Sequence, residues 1–229
     1  MKPCEGLNGR RRQAFSMLEL LLILVTVGIV SAVGLLMLGR ARHKSIRSQC
    51  VQNLKMIGTA EQMWLHEYED RLPWQVPQSE NGSQGLPFVF QQFRAMSNYL
   101  SSPKAVGCPG LQSWRPPAAS WDETTDRNVG YGLNTTASGA ASSILSLDMD
   151  IEGGEEAATA GEGSRRLMFC GDGSASISSR FIWSKTNHVD SGQFTLIDGS
   201  VVAADNPDLQ RQFRFFLSAY TCVRFLMPR

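Results

Sequence analysis

Ala14-Phe15-Ser16-Met17-Leu18-Glu19, followed by nineteen uncharged residues from Leu20 to Leu38, decides how this chain is read. About 20 apolar residues suffice to cross a bilayer as a helix. Glu19 stands at the edge of that run. A carboxylate costs about 2.5–3.5 kcal/mol at a membrane centre and less at its rim, so something must offset it. Arg10, Arg11 and Arg12 precede the run. An ordinary secretory signal has only about 7–15 apolar residues before a small-x-small cleavage site. Ser31-Ala32-Val33-Gly34 has that look, yet Leu35-Leu36-Met37-Leu38 prolongs the apolar stretch beyond it.

Charge alone does not orient the segment. Lys2, Arg10, Arg11 and Arg12, against Glu5, lie before it; Arg40, Arg42, Lys44 and Arg47, with His43, lie after it. Positive charge marks the cytoplasmic side, and the two flanks tie. The order of a basic leader, a small residue, a phenylalanine and a glutamate four places later resembles the amino terminus of type IV prepilins and type II secretion pseudopilins. The resemblance implies cleavage by a prepilin peptidase between Ala14 and Phe15, N-methylation of Phe15, and Glu19 as the assembly residue. Alanine at position 14 departs from the family's usual glycine. The resemblance also breaks the tie: leader inside, bulk of the chain outside.

On this reading residues 1–14 are a leader, 15–39 a transmembrane and assembly helix, 40–70 its amphipathic continuation, and 71–229 an extracytoplasmic globular domain. The expected fold class is α+β and pilin-like, a long N-terminal helix packed on a small antiparallel sheet. The leader holds four of the 22 basic residues and one of the 21 acidic ones, so the remainder is slightly acidic. That excludes a basic nucleic-acid binder. Cys50, Cys108, Cys170 and Cys222 lie outside the leader, widely spaced and without a CxxC pair. Outside the cytoplasm four cysteines allow two bridges in three connectivities, which the sequence leaves open.

Cys50, Leu54, Ile57, Glu61, Trp64 and Tyr68 recur at alternating spacings of four and three, one face of a helix. Pro73 ends it near Asp70. Residues 71–87 read as a loop. Phe88 to Leu100 reads as a helix burying Phe90, Phe93, Ala95, Met96 and Leu100, stopped by Pro103. Residues 135–164, poor in large apolar side chains, read as an exposed mobile insertion with Ile144–Leu147 a short ordered piece inside it. Strands are expected at 167–169 and 177–183. Phe194–Ile197 and Ser200–Ala203 form a hairpin around Asp198-Gly199, a pair suited to a tight turn. A last helix over 208–217 and a strand over 223–227 complete the chain.

His188 and Asp198-Gly199 form a His-x9-Asp-Gly pattern that resembles a carboxyl-terminal signature of prepilin-like proteins common in Planctomycetes and Verrucomicrobia. Cys50-x-x-Asn53-Leu54-Lys55-x-x-Gly58, Leu100-x-Ser102-Pro103-Lys104 with Cys108-Pro109, and Tyr131-Gly132-Leu133-Asn134 are similar to further segments of that group, in its order. The resemblance implies assembly machinery and no known reaction. His188, Asp190, Asp198 and Asp172 would suit a divalent metal, but an Asp-Gly turn needs no ligand, and no metal is expected there. Asp148, Asp150 and Glu152 are weak candidates for calcium, lacking the glutamate that a calcium loop carries at its twelfth position. No catalytic motif of the Gly-x-Ser-x-Gly, His-Glu-x-x-His or phosphate-loop kind occurs, so no enzyme is expected. The expected function is a pseudopilin or minor pilin in a bacterial inner membrane, a single-pass protein with its C-terminal domain outside the cytoplasm. Its expected partners are the peptidase, other pilin subunits and the inner-membrane assembly platform. The alternative is a membrane-anchored binding module or metal binder, with Trp74, Trp114, Trp121 and Trp183 available for stacking on sugars.

Overall fold

A computed structural model describes residues 17–111, 115–137, 143–149, 151–153, 155–156, 163–170, 181–184, 191–219 and 222–229. Ala14, Phe15, Trp114, Asp150, Asp172, His188 and Asp190 lie outside these. The chain divides into two compact units, Met1–Ser45 and Ile46–Arg229. Helix α1 (Met17–Glu67) contributes to both.

In the first unit, Met17–Leu35 is long and apolar enough to span a membrane, and none of that stretch is buried. Leu18, Leu22, Ile29 and Leu35 are among the exposed side chains. Glu19 sits in the first turn, where the helix dipole favours a negative charge.

The second unit begins on the amphipathic part of α1. Cys50, Leu54, Ile57, Glu61 and Trp64 are all buried, whereas Gln52, Lys55, Thr59 and Glu67 are exposed, as the periodicity requires. The helix ends at Glu67, three residues before Asp70. Glu69 and Asp70 then take positive φ angles of 53° and 60°. The Trp64 indole stacks on Tyr68 at 4.0 Å and donates to the Arg71 carbonyl at 2.9 Å, holding the exit from the helix. Residues 71–87 carry two single turns of 3-10 helix, Pro73–Gln75 and Gln78–Glu80. Helix α2 (Val89–Ala95) is shorter than expected. Beyond it the chain continues in turns, with Ser97 and Tyr99 donating to Arg94 and Met96. Phe93, Met96 and Leu100 are buried as expected; Phe90 and Ala95 are only partly so.

The rest is an antiparallel sheet with one more helix, an α+β arrangement. The strands are β1 (Tyr131–Asn134), β2 (Ile144–Asp148), β3 (Ile151–Glu152), β4 (Glu155–Glu156), β5 (Arg165–Cys170), β6 (Ile182–Trp183), β7 (Ser191–Leu196), β8 (Val201–Asp205) and β9 (Cys222–Met227). Seven form one sheet in the order β4-β5-β9-β1-β2-β7-β8, and β3 pairs with β6. Helix α3 (Asn206–Ala219) follows β8. The Asp198-Gly199 hairpin is present as read. Residues 135–164 correct the expectation of an exposed insertion: they supply β2, β3 and β4. Every residue of β2 is buried, and β2 lies between β1 and β7. Ser146, one of its two polar residues, is satisfied within the sheet, its N–H donating to Thr195 Oγ1 at 3.0 Å. Ser143 and Ser164, read as loop, are buried too.

Alternation along the strands separates two cores. Tyr131, Leu133 and Leu226 join Leu54, Ile57, Trp64, Phe93 and Val106 in one. Val223, Phe225 and Met227 join Phe169, Phe181 and Phe213 of α3 in the other. There Phe213 stacks on Phe181 at 4.0 Å and meets Phe169 edge-on at 5.4 Å. Cys170 and Cys222, opposite one another on β5 and β9, are joined in a disulfide. Phe213→Ala should cost about 3–5 kcal/mol in urea unfolding of the detergent-solubilised protein. A loss under about 1 kcal/mol would show that this ring is not a core element.

Candidate functional site

Of the residues singled out by sequence, Cys50, Asn53, Gly58, Cys108, Asp148 and Asp198-Gly199 fall in two groups against the second unit's part of α1. The first group lies at the β7–β8 turn. Gly199 has φ of +80°, a conformation that costs a side-chain-bearing residue about 1–2 kcal/mol. Its N–H donates to the Leu196 carbonyl at 2.9 Å, and the Asp198 carboxylate accepts from the Ser200 N–H at 2.9 Å. Hydrogen bonds from Ser200 hold the exposed Asp198 carboxyl below its usual range. Asp198 is therefore occupied in shaping its own turn.

That turn is pressed against α1. A Cβ added at Gly58 would lie 3.3 Å from the Gly199 carbonyl oxygen and 3.4 Å from its Cα. A Cβ added at Gly199 would lie 3.3 Å from Gln62 Cγ. The Gln62 amide donates to the Ile197 carbonyl. Gly58 and Asp198-Gly199, some 140 residues apart in sequence, are thus two sides of one contact. Glycine serves on both sides because the two backbones approach each other closely.

A second group lies toward the start of the buried stripe. Cys50 and Cys108 place their sulfurs 3.4 Å apart, both buried. Asn53, one turn along, donates from Nδ2 to the Gly107 carbonyl at 2.8 Å. Gly130 backs Cys108 so closely that a Cβ there would come within 2.5 Å of the Cys108 Cβ and N. Asp148, at the end of β2 and buried, brings a carboxylate oxygen within 4.8 Å of both sulfurs. Its Oδ2 accepts from the Gln193 N–H at 3.0 Å. A hydrogen bond with Cys50, burial and the charge of Asp148 all raise the Cys108 thiol pKa well above its ordinary value. Burial does the same to the Tyr131 phenol beside it.

Cys50, Cys108 and Asp148 are the group among the described residues whose donors could meet on one ion. Sequence reading did not bring them together. The spacings are long, and only the sheet sets Asp148 beside the helix. The calcium pattern does not gather: Asp148 is buried, Glu152 is exposed on β3, and Asp150 lies outside the described residues. His188, Asp190 and Asp172 do too, so Asp198 is the described member of that set. Trp183 is buried in the core, which leaves its ring no free face for a sugar; Trp74 and Trp121 are partly buried.

Glu61 is the other residue the sequence did not flag for chemistry. It is fully buried, and neither carboxyl oxygen has a hydrogen-bond partner among the described residues. Desolvation raises its pKa well above 4.5, so the neutral acid is favoured. Comparison with known protein families, curated proteins and solved structures returns no match.

Gly85 also has a φ of +80°, but a Cβ there would meet nothing within 4 Å. Gly85→Ala should cost about 1 kcal/mol from backbone strain, and Gly199→Ala measurably more, about 2 kcal/mol, because it also presses on α1. Equal losses would mean that the helix–turn contact is slack. Glu61 binds a proton in the folded chain that the unfolded chain has released. Its penalty is absent below pH 4.5 and grows as pH rises towards the folded value. Glu61→Met should flatten that fall and raise stability at pH 7 by about 1–3 kcal/mol. A less stable Met variant with an unchanged pH slope would show that the carboxyl is satisfied.

Proposed function

We propose that this chain is a pilin-like structural subunit, a pseudopilin or minor pilin of a type II secretion or type IV pilus-like system. A prepilin peptidase cuts it before Phe15, and it is stored in the inner membrane until it assembles through its N-terminal helix. The observation that carries this reading is the first part of α1. Met17–Leu35 is apolar and uncovered, with one carboxylate, Glu19, in its first turn. Among the described residues nothing hydrogen-bonds or ion-pairs with that carboxylate. A surface of that kind must be covered by lipid or by neighbouring helices.

The physical mechanism is an exchange of surroundings. In the membrane, Met17–Leu35 contacts lipid. In a filament the same side chains contact the helices of other copies, with Gly28 and Gly34 open to close approach. The amine freed at Phe15 then meets Glu19 of a neighbour in an apolar setting. Pairing relieves both charges, whereas a buried charge stripped of its partner costs about 3–5 kcal/mol. The second unit is what such a filament would present. Asp198, engaged in its own turn, supports a structural over a catalytic role for the carboxyl-terminal signature.

Glu19→Ala tests the reading in the native host. Processing should be retained, while the amount recovered in sheared filaments, or in crosslinks between copies, should fall at least about tenfold. Wild-type incorporation of the variant would contradict the assignment.

A further inference from the structure

We propose that Cys50 and Cys108 form a second disulfide, a covalent clasp that ties α1 to the globular domain. The inference rests on the extracytoplasmic placement proposed above. Two observations point to it independently of that placement. The two sulfurs are in contact at 3.4 Å, at sites whose backbones are already fixed by the Asn53–Gly107 hydrogen bond and by Gly130. The same chain already joins its other cysteines, Cys170 and Cys222.

The reaction is two thiol–disulfide exchanges with an oxidised dithiol protein of the compartment. One cysteine thiolate attacks that protein's disulfide and releases one of its sulfurs as a thiolate. The second cysteine then attacks the mixed disulfide. The clasp forms, the oxidant leaves as a dithiol, and the two protons lost from Cys50 and Cys108 end on it. Both cysteines are almost fully buried in the folded domain, and burial beside Asp148 opposes the thiolate that must attack. The bond therefore forms while the domain folds and is shielded from reductant afterwards.

A metal is the competing use of the same atoms. Structural zinc takes four ligands with deprotonated thiols. Among the described residues three donors converge here, one short of that set. The geometry favours the covalent bond. Its effect would be mechanical. The clasp sits where the buried stripe of α1 begins, so a pull along the helix during extraction from the membrane would load a covalent bond rather than side-chain contacts.

The test is mass mapping of the full-length protein purified from the host membrane, denatured in excess alkylating reagent so that any buried thiol is trapped as it is exposed, and digested without reductant, with metal analysis of the same preparation before denaturation. The expected result is a linked peptide pair containing Cys50 and Cys108 beside the Cys170–Cys222 pair, with no stoichiometric metal. Reductant should open the Cys50–Cys108 bond only once denaturant is added. Cys50→Ala, Cys108→Ala and the double variant should lose the same amount in Tm, about 5–15 °C, because each removes one bond.

Alkylated Cys50 and Cys108 beside an intact Cys170–Cys222 bridge would overturn the clasp while leaving the compartment standing. One equivalent of zinc, with both thiols unlinked, would overturn it in favour of a metal centre. All four cysteines reduced would overturn both the clasp and the extracytoplasmic placement it rests on.

Discussion

An apolar helix with nothing over it is the constraint from which the rest follows. Met17–Leu35 offers its side chains outward in every direction, and in water that surface would drive association. Leu54, Ile57 and Trp64, further along the same helix, are by contrast fully enclosed. One continuous element therefore has two kinds of surface: a first part long and apolar enough to span a membrane, and a second enclosed in the domain's own core. Glu19 marks the edge of the first regime, and Cys50 the start of the second.

The seam along the second part is made of small and polar residues placed where backbones must come close. Gly58 lets the β7–β8 turn approach, Asn53 holds the Gly107 carbonyl, and Gln62 holds the Ile197 carbonyl. Asn53 and Gly58 belong to the Cys50-x-x-Asn53-Leu54-Lys55-x-x-Gly58 segment singled out in the sequence, and their role here is that of a joint. Glu61 is the exception on the same face: it is buried without a partner, a site that does not serve stability by any contact in the described chain.

Much of this was legible beforehand, for identifiable reasons. The stripe from Cys50 to Trp64 carries a clean helical period, and Asp198-Gly199 is a turn whatever surrounds it. Apolar alternation gave the strands around Phe169, Phe194 and Phe225. Within 135–164 the ordered piece at Ile144–Leu147 was legible from its apolar residues, and it is β2; what the sequence did not show is that this piece is a buried central strand, because its neighbours β1 and β7 are set by long-range pairing such as that of Ser146 with Thr195, some 50 residues away. The length of α2 was overestimated because Phe90, Ala95 and Leu100 fit a helical period while the backbone after Ala95 closes into turns. The cluster of Cys50, Cys108 and Asp148 was invisible for the same reason as the Gly58–Gly199 contact: long-range sheet order, not local pattern, puts those residues together.

The central claim is that the uncovered helix is a processed assembly segment rather than a simple anchor, and the chain's own first residue reports on it most directly. Amino-terminal mass spectrometry of protein recovered from the host membrane should find a chain that begins at Phe15 with a methylated amine. A chain that begins at Met1, in cells whose prepilin peptidase is active on its other substrates, would contradict the account.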